Sequence, residues 1–295
     1  MTGTFTWNLI GDLQDMWSLP FMLNAFRAGT VVALLAAPAG WFMVLRRQSF
    51  AGHTLALVGF PGAAAAVWLG LGVATGYVSF CVIAALVIAA LPAGTRGGYS
   101  EQSAVIGTVQ AFALASGMLF VALYKGFLNG TNALLFGSFL GITAGQVTTL
   151  AVLAAVALAV LAAVGRPLLF ASIDADVAQA HGVPVRALGT VFLVLLGVAV
   201  AEVGQITGVL LVFALLVLPP ATAQVLVARP VASLALSVVL ALVTVWVALF
   251  VAYYSPYPIG FWLTTVAFGL YALAQAATAV RGRLAVRGRL AVAGG

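Results

Sequence analysis

Charge is what this chain has least of. Only 6% of its 295 residues are Asp, Glu, Lys or Arg, against 64% hydrophobic, which is far too little polar surface to cover a soluble globule. Almost none of the six carboxylates falls inside an apolar run. That argues against a proton-coupled carrier, whose relay needs them there. No run carries arginines at helical spacing, which argues against a voltage sensor. With two histidines and one cysteine there is no plausible nucleophile with its base. There is also no Gly-rich phosphate loop ending in Lys and no His-Glu-x-x-His, so no enzyme presents itself. The lone Cys81 rules out an intrachain disulfide or a cysteine metal cluster and reads as a packing residue.

What remains is a polytopic, all-α integral membrane protein whose single transmembrane domain, residues 1–280, uses nearly the whole chain. Residues 281–295, RGRLAVRGRLAVAGG, form a basic tail. The net charge of +6 reflects arginines at the ends of apolar runs, the positive-inside pattern, and not an affinity for nucleic acid. Apolar segments lie at 21–45, 53–71, 77–93, 102–124, 145–164, 188–201, 205–227, 231–253 and 258–280, predicting a bundle of about eight to nine transmembrane helices. Arg46-Arg47, Arg96, Arg229 and the tail mark the inner side, so the N-terminus is expected outside and the C-terminus in the cytoplasm of a cell-membrane protein. The first twenty residues lack the basic start and small-residue site of a cleaved signal peptide. Residues 188–201 are short for a span, since a crossing needs roughly 20 helical residues. A tilted, broken or partly re-entrant element around Glu202 and Gly204 is the expectation there.

The longest polar interruption is residues 166–188, RPLLFASIDADVAQAHGVPVRAL. Its Asp174-x-Asp176 start, alanine-rich centre and Gly182-x-Pro184 stop predict a short capped surface helix. By the arginine bias it is cytoplasmic. Ionisable residues at membrane depth are functional candidates by default, and His53, Glu202 and Arg27 are the ones that qualify. An imidazole at His53 suits a metal pathway; a hydrogen-bonded interfacial histidine is the plainer alternative. Glu202 is expected near the outer surface, solvated and not buried.

Several stretches together resemble one family: the permease subunits of ATP-driven (ABC-type) importers for zinc, manganese and iron. They are RRQSFAGHTLALVGFPG (46–62), NALLFGSFLGIT (132–143), DADVAQAHGVPV (174–185), GVLLVFALLVLPPATA (208–223) and YYSPYPIG (253–260). The resemblance implies a permease without its own ATPase site and with no cofactor on this chain. A cytoplasmic ATP-binding subunit would hydrolyse the ATP, an extracellular binding protein would deliver the substrate, and a second permease copy would complete a homodimer or heterodimer. It makes Ser172 to Val185 a coupling element seated in the ATPase, with Asp174, Asp176 and Gly182 as its key residues, and His53 the pathway ligand, with Glu202 a weaker candidate at the outer mouth.

The match departs from the family at the ligands. Relatives that pass zinc or manganese usually have Asp where His53 stands and His where Leu57 stands, one turn apart on one helix face. The family's acidic position after LLFG reads TAGQV here. Three readings follow: a weak, transient metal site; a different partner permease that supplies ligands; or a substrate such as a metal chelate or haem-like compound. A stand-alone carrier or channel is the competing class.

Overall fold

The computed structural model describes residues 9–90, 98–123, 139–208 and 212–293. They form helices α1 (Leu9–Ser18), α2 (Pro20–Leu45), α3 (Ser49–Trp68), α4 (Val73–Ala90), α5 (Gly98–Leu123), α6 (Ala144–Ile173), α7 (Ala175–Ala180), α8 (Val185–Thr207), α9 (Val212–Leu226), α10 (Pro230–Tyr254) and α11 (Ile259–Ala293), with a 3-10 turn at Phe139–Gly141. Eight helices are long and apolar enough to cross a membrane, and α9 is a shorter apolar one. Among the described residues there is no strand.

The bundle has two lobes that share α2. In one lobe α3, α4, α5 and α8 pack together; in the other α9, α10 and α11 do, and α2 lies against α6, α8, α9 and α10. Lipid supplies no hydrophobic drive between helices, so close contact depends on small residues and interhelical hydrogen bonds. Both are present. A Cβ on Gly62 of α3 or on Gly76 of α4 would run into the other's carbonyl, and one on Gly40 of α2 would run into Leu216 of α9. Trp41 Nε1 donates to Ser233 Oγ at 3.0 Å, Gln224 Nε2 to the Trp41 carbonyl at 2.8 Å, and Thr54 Oγ1 to Gln110 Oε1 at 3.1 Å. Cys81 is buried with its Sγ 3.3 Å from the Leu55 carbonyl, as a packing residue should be.

Two expectations need correction. Residues 188–201 are not a short segment, because α8 runs unbroken from Val185 to Thr207. Its break comes at Gly208, where φ is 79°, and not at Glu202 or Gly204. The interruption at 166–188 is also smaller than it reads: α6 carries on through Arg166 and Pro167 to Ile173, because Leu168 and Ala171 still have a buried face to fill. TAGQV, where the family's acidic position would fall, is a helix start, close to the start expected at 145. Thr143 caps α6 in a capping box, accepting from Gln146 N at 3.3 Å while Gln146 Oε1 accepts from Thr143 N at 2.9 Å.

If every long helix and α9 cross, the α2–α3, α6–α8 and α9–α10 connections fall on one side, with Arg46, Arg47, Arg186 and Arg229. The opposite α10–α11 turn carries an aromatic cluster, Tyr253 with Tyr254 at 4.8 Å and Phe261 with Trp262 at 5.2 Å, as expected where a helix meets the interface. Lys125, Arg96 and the NALLFGS part of the family stretch lie outside the described residues.

Candidate functional site

His53 sits in the second turn of α3, half-buried, and Leu57 one turn on is half-buried on the same face. Most of α3 is covered by neighbours, so this face is the helix's opening. The imidazole meets Phe213 of α9 edge-on, with ring centroids 5.5 Å apart. Ser49, Phe50, His53 and Phe213 line an open pocket of about 300 Å³. α9 is held in place there from behind by the close approach of Gly40 to Leu216. Among the described residues, no group of three or more His, Cys, Asp or Glu side chains could hold a metal. One imidazole, two aromatic rings and a hydroxyl can grip a metal only loosely from this chain.

Glu202 is not at a solvated outer mouth. It lies on α8 with 0% exposure, and both carboxylate oxygens are buried without a hydrogen-bond partner. The last two turns of α8 are covered nearly all round, so even a glutamate there is enclosed. His53 stands near the start of α3 and Glu202 near the far end of α8; the structure does not bring them together. Arg27 is exposed on α2 and takes no part in either arrangement.

The polar stretch projects as expected. Asp174 caps α7, its Oδ1 accepting from Val177 N at 3.0 Å, and Asp176 lies in the first turn, where a negative charge suits the helix dipole. At the other end Gly182 N bonds to the Gln179 carbonyl and Val183 N to the Ala178 carbonyl, both at 3.0 Å. That pair of bonds is a Schellman motif, which puts its C′ residue in the left-handed region; Gly182 has φ 80°. A Cβ at Gly182 would meet nothing within 4 Å, so the constraint there is backbone conformation and not space. Along Asp174–Gly182 only Ala178 is buried. Ile173 and Val177 stay 68% and 43% exposed, apolar surface on a polar projection.

One residue escaped notice as anything but a charge marker. Arg46, just beyond α2, is half-buried, and burial lowers its pKa from the ordinary value. Phe50 and Phe213 were missed too, since an aromatic residue in an apolar run carries no signal of which face it occupies.

The sequence model of the ABC 3 transport family matches residues 18–278. The chain is 26% identical over 267 residues to the manganese transport system membrane protein MntC of Halalkalibacterium halodurans, covering 90% of each. It is 28% identical over 217 residues to the chelated iron transport system membrane protein YfeC of Yersinia pestis, covering 74% of this chain and 72% of that one. Among solved structures, PsaBC from Streptococcus pneumoniae in complex with Fab superposes with a TM-score of 0.80 at 24% identity, covering 90% of this chain and 95% of that one.

Proposed function

The chain belongs to the ABC 3 transport family, and from that premise we propose that it is the transmembrane permease of an ATP-driven importer that brings a divalent transition-metal ion, manganese, iron or zinc, into the cytoplasm. The observation that carries this reading is α7: a helix capped at both ends, exposed along its length, and mounted between two long spans. Such a projection suits the receipt of force from a separate subunit. In this reading a cytoplasmic ATPase subunit grips Ser172 to Val185, with Asp174 and Gly182 fixing the helix ends and Asp176 facing the partner. An extracellular binding protein delivers the ion, and a second permease copy faces the first. The N-terminus is outside; the C-terminus and the 281–295 tail are cytoplasmic.

His53 is the pathway ligand of this subunit. With Leu57 beside it in place of a second donor, coordination is weak per subunit, and weak binding favours passage because a tightly held ion is not released. Glu202 is a second pathway candidate: an ionisable group inside a membrane bundle is costly to keep, and its unpartnered oxygens leave it free to meet a passing cation when the bundle changes shape. A metal chelate is the second reading, favoured by the aromatic lining that Phe50 and Phe213 give the pocket.

The test is uptake into vesicles holding the permease, its ATPase subunit and its binding protein, with Mn²⁺, Fe²⁺, Zn²⁺ and haemin offered separately to wild type and His53→Ala. ATP-dependent uptake of one free ion that falls in the variant supports the metal reading. ATP-dependent uptake of haemin alone replaces it with the chelate reading. Uptake that ignores ATP rules out the importer.

A further inference from the structure

Movement at α7 must reach the pathway face, and the permease reading, on which this inference rests, does not say how. Arg46 is the C-cap of α2 and belongs to the short turn that starts α3. Arg47, Arg166, Arg186 and Arg229 are all exposed, as arginines that merely mark the cytoplasmic side would be. Arg46 instead turns into the bundle and is half-buried, with its Nε enclosed and unpartnered. Its Nη1 donates to Ser172 Oγ at 3.1 Å. Ser172 lies in the last turn of α6, two residues before the Asp174 cap of α7, and its own hydroxyl donates to the Leu168 carbonyl.

The same guanidinium lies over the Phe192 ring of α8, 5.5 Å from its centroid. Phe192 is fully buried and leans on Phe42 of α2 at 6.2 Å. One side chain therefore touches both helices that flank α7. The turn that carries it is stiff: Arg47 N bonds to the Val44 carbonyl at 3.0 Å and Gln48 N to the Met43 carbonyl at 2.9 Å, with Arg47 itself at φ 56°. α3 begins at Ser49, and His53 follows on its second turn.

We propose that Arg46 is the positioning residue that ties the coupling loop to the pathway helix: through Ser172 on α6 and Phe192 on α8 it holds the α2–α3 turn to both arms of α7, so that displacement of α7 is passed to α3 and His53. Arginine suits the task, because a planar guanidinium can donate along its edge and stack on its face at once, as a lysine ammonium cannot.

The test is the number of Mn²⁺ ions taken up per ATP hydrolysed in the same reconstituted vesicles, with Fe²⁺, Zn²⁺ or haemin used if wild type accumulates one of those instead. Arg46→Gln is expected to lower that ratio about tenfold and Ser172→Ala about threefold, within the range of ordinary coupling energies. Adding Ser172→Ala to Arg46→Gln should cost nothing further, since Arg46→Gln has already cut the link to Ser172. A purely structural role would lower uptake and ATPase activity together and leave the ratio unchanged, and that result overturns the inference. If Arg46→Gln fails to assemble, Arg46→Lys and Ser172→Ala decide: a wild-type ratio in both overturns it, and a lowered ratio in both upholds it. A wild type that accumulates neither the three ions nor haemin removes the permease reading and the inference together. A wild type that accumulates one of them, while the variants keep its ratio, removes the inference alone.

Discussion

α7 has an aspartate cap, a glycine in the left-handed region and an exposed surface along most of its length. On the open face of α3, His53 has an aromatic edge, a serine and a leucine for company. In the proposed reading the first region is the rigid projection that receives force. The second keeps one metal donor where relatives that pass zinc or manganese are expected to have two. The difference separates two requirements of the machine. Coupling to an ATPase needs a fixed shape, because a rigid projection must fit a partner and transmit its motion. Conduction needs a site that is entered and left, so its ligands can be few on each subunit.

Gly182→Val should break the comparison most severely. A β-branched residue is strained at φ 80°, by about 1–2 kcal/mol, and in the proposed reading its side chain would enter the space of the ATPase subunit. Uptake per ATP is expected to fall by about a hundredfold, near the top of the usual coupling range, with the permease still folded by melting analysis; unchanged uptake would remove Gly182 from the coupling element. His53→Ala comes next, with a loss of about tenfold in uptake of the carried ion, equivalent to about 1.4 kcal/mol. The reciprocal change, Leu57→His, would restore a two-donor face and is expected to lower the apparent Kd for Zn²⁺ while slowing turnover. No change in Kd would show that position 57 does not face the ion.

Smaller effects follow at the caps and in the core. Asp174→Ala removes the α7 cap at a cost of about 1 kcal/mol, expected to lower uptake per ATP about fivefold; Asp174→Asn, which still caps, should lower it less. Glu202→Gln should do least to stability and in the other direction. It replaces a carboxylate with two unpartnered buried oxygens by a neutral group of the same shape, raising the melting temperature by about 3 °C. A fall in melting temperature would mean that Glu202 has a partner it needs.

Much of this was legible in the sequence, for physical reasons. Hydropathy located the spans because a membrane helix must be apolar over its length. The α7 ends were legible because Asp174 and Gly182 are local devices whose partners lie three or four residues away. Glu202 was misjudged because charge in a sequence signals solvent, whereas its exposure depends on what α2, α3, α4 and α6 place around α8. The extent of α6 was misjudged because Arg166-Pro167 looks like a stop, yet a proline removes one hydrogen bond and the buried contacts of Leu168 and Ala171 keep the helix going. Arg46 had no local sign of its role at all: Ser172 and Phe192 are more than a hundred residues away in the chain and meet it only in the folded bundle.

In the proposed function this permease moves its cargo on energy received from a separate ATPase. The most direct measurement is Mn²⁺ accumulation by vesicles containing the permease, its ATPase subunit and its binding protein, with ATP compared against a non-hydrolysable analogue. Accumulation above the outside concentration with ATP alone is the predicted result. Equal accumulation with both nucleotides, or with the ATPase subunit left out, would contradict it.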